Sequence, residues 1–263
     1  MINLSQPEGR SALQRFITSN TLFAFDLDGT LAPIVADPAA VSLPDAVQLG
    51  MAHLSALAVT AVITGRSCHD ARQRLGFAPH YLVGNHGVEG LPGSDVSPTQ
   101  LRELVDGWEQ QLERLMTPAL RTAVSIEPKG ASLSLHYRHA ANPAATVSAL
   151  QLLVQQLFPL PRQVGGKCVI NLVPPGAPHK GDALLQLMRH AGCPRAVFIG
   201  DDETDEDVFR LDDPAVFSVC IGTERPTAAR YFLADQAEIS PLLQLLAAYL
   251  HQTDSTHKMV SRK

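Results

Sequence analysis

The sequence has few cysteines, and their arrangement indicates neither a disulfide framework nor a zinc site. Cys68, Cys168, Cys193 and Cys220 are scattered over 263 residues, without a Cys-x-x-Cys pair or a histidine at zinc-ligand spacing. Because unpaired cysteine is among the residue types most often buried, we expect four free, buried thiols that pack like small hydrophobic side chains. The pattern argues against disulfide pairing and against a catalytic thiol.

The sequence also lacks long apolar segments and a strong charge of either sign. No segment reaches the ~18 apolar residues of a membrane span, and residues 1–20 show no basic region followed by an apolar stretch. Lys and Arg number 21 against 26 Asp and Glu, a net charge of −5, which disfavours binding to nucleic acid or anionic membranes. We therefore expect a cytoplasmic protein without nucleic-acid or membrane partners, and we expect it to be a monomer.

What the sequence does contain is an alternation of short apolar runs and amphipathic segments. This order predicts an α/β fold with a Rossmann-like parallel sheet covered by helices. The predicted strands of the sheet are 21–25, 59–63, 81–83, 196–199 and 215–221. The predicted helices around it are 44–57, 67–75, 180–190 and 239–250.

A segment of different character interrupts this alternation after the turn-rich stretch 92–98. Periodicity within it predicts strands and helices of an inserted α+β cap. The predicted elements are one long helix at 101–120, strands at 122–126 and 131–137, a helix at 144–158 and a strand at 168–173. The predicted domains are accordingly a core at 1–91 and 176–252, a cap at 92–175 and a disordered tail at 253–263.

Two carboxylates follow the first predicted core strand. Asp26 and Asp28 stand two residues apart at its carboxyl end, where open α/β sheets place ligands, and residues at this spacing share a face. One carboxylate can attack phosphorus while the other donates and accepts a proton at the leaving oxygen. Gly29 permits a tight turn close to a phosphate, and Thr30 offers a hydroxyl. A solvated Asp-Gly turn is the alternative interpretation.

Six acidic residues lie within positions 201–207, directly after the wholly apolar strand 196–199. A run of like charges usually marks a solvated face or a tail, but this run ends a buried strand. Crowded carboxylates repel one another unless a cation intervenes, and Mg²⁺ prefers hard oxygen ligands. The run therefore predicts a magnesium site at the end of this strand.

Two further polar residues stand at the ends of predicted elements. Thr64 follows a strand and can donate its hydroxyl and its backbone N–H to a phosphate oxygen. Lys180 begins a helix, where a cation is unfavourable to the helix dipole, so its position is favoured if it faces an anion. Taken alone, each is also compatible with an ordinary surface residue.

In this order, Asp-x-Asp-Gly-Thr, the strand-end threonine, the lysine and Gly-Asp-Asp-x-Thr-Asp resemble the haloacid dehalogenase superfamily of phosphotransferases. The resemblance implies that Asp26 is the nucleophile and that Asp28 is the general acid and base. It implies that Thr64 and Lys180 steady the phosphoryl oxygens. It also implies a Mg²⁺ ion held by Asp26, the backbone carbonyl of Asp28, and Asp201, with Asp202 in support.

Further segments narrow the resemblance to the trehalose-6-phosphate phosphatase family. They are Gly84-Asn85-His86-Gly87-Val88-Glu89, Glu127-Pro128-Lys129-Gly130, His136-Tyr137-Arg138 and Gly166-Lys167-Cys168-Val169, and with the core motifs they extend from about residue 22 to residue 249. The resemblance implies that the cap contacts glucose through Glu127, Lys129 and Lys167. The predicted substrate-binding residues are Gly65, Arg66, His86, Glu127, Lys129, Arg138, Lys167 and Asn171.

One departure from the family pattern leaves the substrate open. The family usually has a glutamate soon after the Gly-Lys-x-Val segment, whereas this chain has Asn171, which lacks the charge. The leading hypothesis is a phosphatase for trehalose 6-phosphate, and a phosphatase for another sugar phosphate, such as sucrose 6-phosphate, is the alternative. A non-catalytic sugar-phosphate binder is disfavoured, because a binder would not need the nucleophile and the acid together.

Overall fold

The computed structural model describes residues 1–35, 37–93, 97–166 and 168–260. Within it the chain forms two compact units, which we call the core unit (Met1–Pro92 with His179–Lys263) and the inserted unit (Gly93–Pro178). The boundaries expected from the sequence were 91/92 and 175/176. Each unit has its own sheet and its own apolar side-chain clusters, two in the core unit and one in the inserted unit.

The helices and strands follow in chain order. The core unit begins with β1 (Ile2–Asn3), α1 (Pro7–Phe16), β2 (Thr21–Phe25), α2 (Asp45–Leu57), β3 (Thr60–Ile63), α3 (Cys68–Leu75) and β4 (Tyr81–Val83). The inserted unit contains α4 (Pro98–Leu115), α5 (Pro118–Ala123), β5 (Ser125–Pro128), β6 (Leu133–His136), α6 (Pro143–Val154), β7 (Arg162–Gly166) and β8 (Val169–Val173). The core unit resumes with α7 (Lys180–Ala191), β9 (Arg195–Gly200), α8 (Glu206–Phe209), β10 (Val216–Ile221), β11 (Tyr231–Leu233) and α9 (Ile239–Val260).

The sheet of the core unit has the strand order β1-β11-β10-β9-β2-β3-β4, and its neighbouring strands are parallel. Strand β2 lies between β9 and β3, with Phe25 opposite Ile199 on one side and Val62 on the other. Because parallel strands end at the same edge, the chain leaves β2, β3 and β9 at neighbouring points. The motifs that follow these three strands are therefore brought together by the sheet.

Apolar side chains cover both faces of this sheet, so its central strands are continuous apolar runs. In β2, Phe23 and Phe25 pack into one cluster, whereas Leu22 and Ala24 pack into the other. The first cluster includes Met51 of α2 and residues of α1 and α9, and the second includes residues of α7. The period of two in β2 thus decides which helices cover which face.

The inserted unit has an antiparallel sheet of order β5-β6-β8-β7. Leu133 and Leu135 of β6 point into a cluster that also contains Trp108 and Leu150 of the two long helices. The indole N–H of Trp108 donates to the carbonyl of Pro159 at 2.7 Å. A parallel-sheet core with an α+β insertion, the fold class predicted from the sequence, is confirmed.

Several elements differ from the prediction. The single helix predicted at 101–120 is wrong: α4 ends at Leu115, and α5 begins at Pro118, because proline is favoured in a first turn and Thr117 caps that turn through its side chain. The strand predicted from 122 begins at Ser125, after α5. Elements β1, α1, β7 and β11 were not predicted. Helix α9 continues to Val260, beyond the predicted end at 250 and into the predicted tail, and neither glycine nor proline interrupts it there.

In the described residues, no helix combines the length and apolar character that a membrane crossing requires. The four cysteines are free, as the sequence predicts. Three of them are buried, whereas Cys168 is half-buried, so the expectation of burial holds for Cys68, Cys193 and Cys220. The cytoplasmic location and the monomeric state stay predictions.

Candidate active site

The first residue beyond β2 is a buried aspartate with a cation beside it. The Asp26 side chain is nearly inaccessible, and its backbone N–H continues the sheet by donating to Ile199 at 2.9 Å. The ammonium of Lys180, the first residue of α7, donates to Asp26 Oδ1 at 2.9 Å. The sheet and the start of one helix therefore fix both groups.

Lys180 faces more than one carboxylate. Its Nζ donates to Asp205 Oδ1 at 2.8 Å and lies 3.9 Å from Asp202 Oδ1, and the residue is only 1% exposed. Burial by itself lowers the pKa of the Lys180 amine, but the carboxylates of Asp205 and Asp26 outweigh it and raise that pKa well above its usual value. The lysine is therefore charged, and the cost of a cation at a helix start is offset by these carboxylates.

The acidic run after β9 folds into a tight capped turn. Asp202 Oδ1 accepts hydrogen bonds from the backbone N–H and the hydroxyl of Thr204, at 2.8 and 2.6 Å. Asp205 Oδ2 accepts from the backbone N–H groups of Asp201 and Asp202, at 2.8 and 3.0 Å. The other oxygen of Asp205, Oδ1, accepts a hydrogen bond from Lys180, so Asp205 stabilises both the turn and the position of the lysine. Sequence reasoning did not assign Asp205 to the site, although it is the last residue of Gly-Asp-Asp-x-Thr-Asp.

Three carboxylates converge at this edge of the sheet. Asp26, Asp201 and Asp205 can each bring an oxygen within 4.8 Å of the others. Burial is the main reason that the pKa of Asp26 is raised well above its usual value. Burial, together with the charges of Asp205 and Asp202, raises the pKa of Asp201 to about 7. These oxygen donors fit a hard divalent cation such as Mg²⁺, which would offset their repulsion.

A glycine makes room for this convergence. A Cβ on Gly29 would lie 2.0 Å from Asp201 Oδ2, and the residue has a φ of +87°. The next residue, Thr30, donates its hydroxyl to Asp201 Oδ1 at 3.0 Å. The Asp-Gly-Thr turn after β2 therefore holds the aspartate that follows β9.

The predicted metal ligands stay a prediction, and the structure adds one carboxylate to the two that it brings together. Asp26 and Asp201 lie together, but the third converging carboxylate belongs to Asp205. The Asp202 side chain caps the turn, and Lys180 and Thr204 lower its pKa to about 2 against the opposing effect of burial. The Asp28 carboxylate accepts hydrogen bonds from an arginine. The predicted ligand atom of Asp28 is its backbone carbonyl oxygen, which these hydrogen bonds do not involve.

That arginine is Arg66, in the loop after β3. Its Nε and Nη2 donate to the two carboxylate oxygens of Asp28, each at 2.6 Å. Its Nη1 donates to Asp70 of α3, also at 2.6 Å. Against the effect of burial, these hydrogen bonds raise the pKa of the Arg66 guanidinium. Arg66 therefore lies against the predicted acid and base.

Thr64 directly follows β3, and one of its two predicted phosphate donors already has a partner. Its backbone N–H donates to Val83 at 2.9 Å in the β3–β4 ladder, so the predicted donation of this N–H to phosphate is wrong. Its hydroxyl, which accepts from the Arg66 N–H at 3.2 Å, keeps its own hydrogen for donation. A Cβ on the next residue, Gly65, would lie 2.5 Å from Cε1 of His86. The glycine thus allows the imidazole of His86 to pack against this loop.

Glu127 and Lys129, two of the predicted sugar-binding residues, belong to the inserted unit. Glu127 Oε2 accepts from His136 Nε2 at 2.7 Å and lies 3.6 Å from Lys129 Nζ. The hydrogen bond from His136 is the main cause that lowers the pKa of Glu127. Arg138 follows β6 and is exposed. Lys167 lies outside the described residues.

Asn171 lies on the same face of the inserted sheet as Glu127. The register places Glu127, Ser134 and Asn171 opposite one another on β5, β6 and β8. Asn171 Oδ1 accepts from the Ser134 hydroxyl at 2.6 Å, and Asn171 Nδ2 donates to the carbonyl of Val164 at 3.2 Å. The amide that replaces the expected glutamate is therefore held within the sheet.

Comparisons with known proteins agree with these motifs. The sequence profile of the family described as trehalose-phosphatase matches residues 24–237. A trehalose-6-phosphate phosphatase of Escherichia coli (strain K12) is 31% identical over 240 residues, which cover 87% of each chain. A trehalose-phosphate phosphatase of Mycobacterium bovis is 29% identical over 243 residues, which cover 87% of this chain but 61% of that protein.

Solved structures share the fold. The C-terminal domain of a C. albicans trehalose-6-phosphate phosphatase has a TM-score of 0.70 at 24% identity, over 94% of this chain and 98% of that one. A trehalose-6-phosphate phosphatase related protein has a TM-score of 0.72 at 21% identity, over 88% and 99%. The profile match takes in both aspartate motifs and the whole inserted unit. The chain therefore belongs to the trehalose-phosphatase family of the haloacid dehalogenase superfamily.

Proposed function

We propose that this chain hydrolyses trehalose 6-phosphate to trehalose and phosphate, with Asp26 as the nucleophile. The observation that carries the proposal is the buried Asp26 carboxylate, bonded to Lys180 and converging with Asp201, in a chain of the trehalose-phosphatase family. A carboxylate approaching a phosphate dianion needs positive charge close by. The fixed ammonium of Lys180 supplies part of it.

In the first step, an oxygen of Asp26 attacks phosphorus and the bond from phosphorus to the sugar oxygen breaks. The proton that the leaving sugar oxygen requires comes from the carboxyl group of Asp28. The Thr64 hydroxyl binds a phosphoryl oxygen, and Lys180 holds Asp26 in place. When bound by Asp26 and Asp201 beside Asp205, Mg²⁺ would supply further positive charge against the phosphate.

In the second step, water attacks the phosphorus of the aspartyl-phosphate, and phosphate leaves Asp26. Asp28, now ionised, takes a proton from this water and returns to the form that began the cycle. Using one carboxyl group for both transfers requires that Asp28 keep its orientation through two opposite proton movements. The bidentate hydrogen bonds from Arg66 are suited to this requirement.

We further propose that the polar residues of the inserted unit bind the sugar. Glu127, His136 and Lys129 form a cluster of acceptors and donors, which is the chemistry that recognises hydroxyl groups. Arg138 and Lys167 are assigned to the same set because the family motifs contain them.

Phosphate release from a panel of sugar phosphates with Mg²⁺ tests the proposal. Trehalose 6-phosphate should turn over faster than glucose 6-phosphate, sucrose 6-phosphate and mannosylglycerate phosphate. Asp26→Asn should abolish turnover, whereas Asp45→Asn, on the exposed first turn of α2, should leave it unchanged. Faster release from any other sugar phosphate would overturn the substrate, and an active Asp26→Asn variant would overturn the nucleophile.

One observation supports a second candidate substrate class. Asn171 occupies a row with Glu127 and has a neutral amide where the family usually has a carboxylate. A different glycosyl phosphate, such as sucrose 6-phosphate, is therefore the alternative. If it is correct, Asn171→Glu should shift the ratio of kcat/KM values toward trehalose 6-phosphate. An unchanged ratio would remove the basis for the alternative.

A further inference from the structure

A chain of ion pairs leads away from Asp28 along α3. Arg66 donates to both oxygens of Asp28 and, through Nη1, to Asp70 Oδ2, all at 2.6 Å. Asp70 Oδ1 accepts from Arg74 Nη2 at 2.6 Å and from Arg74 Nε at 3.0 Å. The four charged side chains alternate in sign and connect the end of β2 to one face of α3.

The far end of this chain is anchored to the backbone. Arg74 Nη1 donates to the carbonyls of Ala39 and Val41, at 2.8 and 3.2 Å. These residues belong to the loop between β2 and α2, the same loop that contains Asp28. The ion pairs therefore connect two points of one loop through α3.

The geometry restricts the Arg66 guanidinium to one orientation. A guanidinium is planar, and here its Nε/Nη2 edge is bonded to Asp28 while Nη1 is bonded to Asp70. The side chains of Arg66 and Arg74 are only 13% and 14% exposed, so water screens these pairs less than it screens ordinary surface pairs. Asp70 is charged, because hydrogen bonds from Arg74 and Arg66 lower its pKa against the effect of burial.

We propose that Asp70 is a positioning residue, which fixes Arg66 and through it the orientation of the Asp28 carboxyl group for proton transfer. The inference rests on the proposed function, in which Asp28 gives its proton to the leaving sugar oxygen and recovers one from water. Asp70 itself gains and loses no proton and touches no reacting atom. Its contribution is to keep Asp28 from turning away between the two steps.

Two substrates with different leaving groups can distinguish a positioning role of Asp70 from a purely structural one. The sugar oxygen of trehalose 6-phosphate is a poor leaving group and needs the proton of Asp28 as the bond to phosphorus breaks. The nitrophenolate ion of p-nitrophenyl phosphate leaves without a proton. Misorientation of Asp28 should therefore slow phosphorylation of Asp26 by the sugar phosphate but not by the aryl phosphate. General damage to the fold would slow both.

The test uses Asp70→Asn, which keeps the shape of the side chain and the backbone N–H that donates to Ser67 Oγ at 3.2 Å. In rapid-mixing experiments with Mg²⁺, Asp26 phosphorylation by trehalose 6-phosphate should slow by about tenfold or more, the scale expected when a catalytic group is misplaced by a fraction of an ångström. Phosphorylation by p-nitrophenyl phosphate should keep its rate. A burst of nitrophenolate should then precede a slower steady state, because hydrolysis of the aspartyl-phosphate also uses Asp28.

Three further variants test whether the effect of Asp70→Asn acts through Asp28. Asp28→Asn should show the same selective loss, and Asp45→Asn should show none. Arg74→Gln, which removes the second partner of Asp70, should show a smaller selective loss and serves if Asp70→Asn does not fold. Equal slowing with both substrates, or unchanged rates with both, would overturn the positioning role.

The proposed function can fail independently of this inference. If Asp26→Asn keeps its turnover, the nucleophile and the steps assigned to Asp28 are wrong. If Asp26→Asn is inactive and Asp28→Asn is selective, but Asp70→Asn matches the unaltered chain, the proposed function stands. In that case only the role of Asp70 is refuted.

Discussion

Replacing Lys180 by methionine should destabilise the core unit severely, although methionine is close to lysine in length. The ammonium lies 2.9 Å from Asp26 and 2.8 Å from Asp205 in a site where the lysine is 1% exposed. Removing one partner of a buried ion pair typically costs ~3–5 kcal/mol, because the remaining charge is left without a partner. At roughly 2–4 °C per kcal/mol for a chain of this size, Tm should fall by ~6–20 °C.

The loss of stability caused by Lys180→Met should be larger at high pH than at low pH. Burial raises the pKa of Asp26 well above its usual value and that of Asp205 to about 6, while Lys180 opposes both shifts. A carboxyl group with a raised pKa favours the fold when protonated, and this stability is lost as the pH rises through its folded pKa. Without the lysine both pKa values rise further, so Lys180→Met should cost little near pH 4 and most above about pH 7.

Thermal unfolding in a metal chelator, at pH 5 and at pH 8, measures both effects. Arg230→Met is the matched control, because it removes a cation from an exposed pair with Asp212 and should cost under ~1 kcal/mol at either pH. Adding Asp205→Asn to Lys180→Met should recover part of the lost stability at pH 8. A loss no larger than that of the control, or one equal at both pH values, would refute the reasoning.

Three other predictions concern the candidate metal site and the core of the inserted unit. Mg²⁺ affinity, measured by calorimetry, should rise about tenfold or more per pH unit below about pH 6 and should level off above pH 7. The reason is that Mg²⁺ binding displaces the proton of Asp201, whose pKa is about 7. An affinity that does not change with pH would contradict this. Gly29→Ala should remove the increase in Tm produced by Mg²⁺, since its Cβ would meet Asp201 at 2.0 Å, and an undiminished increase would count against that clash. Trp108→Phe should lower the free energy of unfolding of the inserted unit, measured in urea, by ~1–3 kcal/mol, because the carbonyl of Pro159 loses its hydrogen-bond donor. An unchanged urea midpoint would show that water replaces the indole N–H as the donor.

The central elements of the core unit were predictable because their signals are local. Strand β2 matches its predicted range, 21–25, because five consecutive apolar or β-branched residues precede a charged turn. The N-cap of α3 at Ser67 was also predicted, and its side chain accepts from the Asp70 N–H. Strand ends in a parallel sheet meet at one edge, so the order of the motifs was enough to predict that Asp26 and Asp201 lie close together.

The prediction failed where two local rules compete or where the signal is weak. Leu101 to Leu120 has helical periodicity throughout, but the proline at 118 starts a new helix instead of continuing the first. Strand β7 contains Arg162, Gln163 and two glycines, a composition that does not indicate a strand until β8 pairs with it. Its formation is decided by the partner strand and not by its own residues.

The assignment of roles within the site required the tertiary structure for a different reason. Asp202 and Asp205 are both acidic residues of one turn, and composition cannot show which one faces Asp26. The turn decides it: Asp202 accepts from the N–H groups of Thr204 and Asp205, and this capping geometry directs Asp205 toward Lys180.

The partners of Asp28 illustrate the same dependence on distant contacts. Arg66 follows Asp28 by 38 residues, and Lys180 follows Asp26 by 154. Both cations reach the same edge of the sheet because β3 and α7 begin or end there, yet they serve neighbouring carboxyl groups in different ways. Lys180 is buried and fixes a nucleophile by charge, whereas Arg66 fixes its carboxylate by a planar, two-point contact. A nucleophile must only be held and kept ionised, but a group that gives and then takes a proton must also keep its direction, and the two side chains differ accordingly.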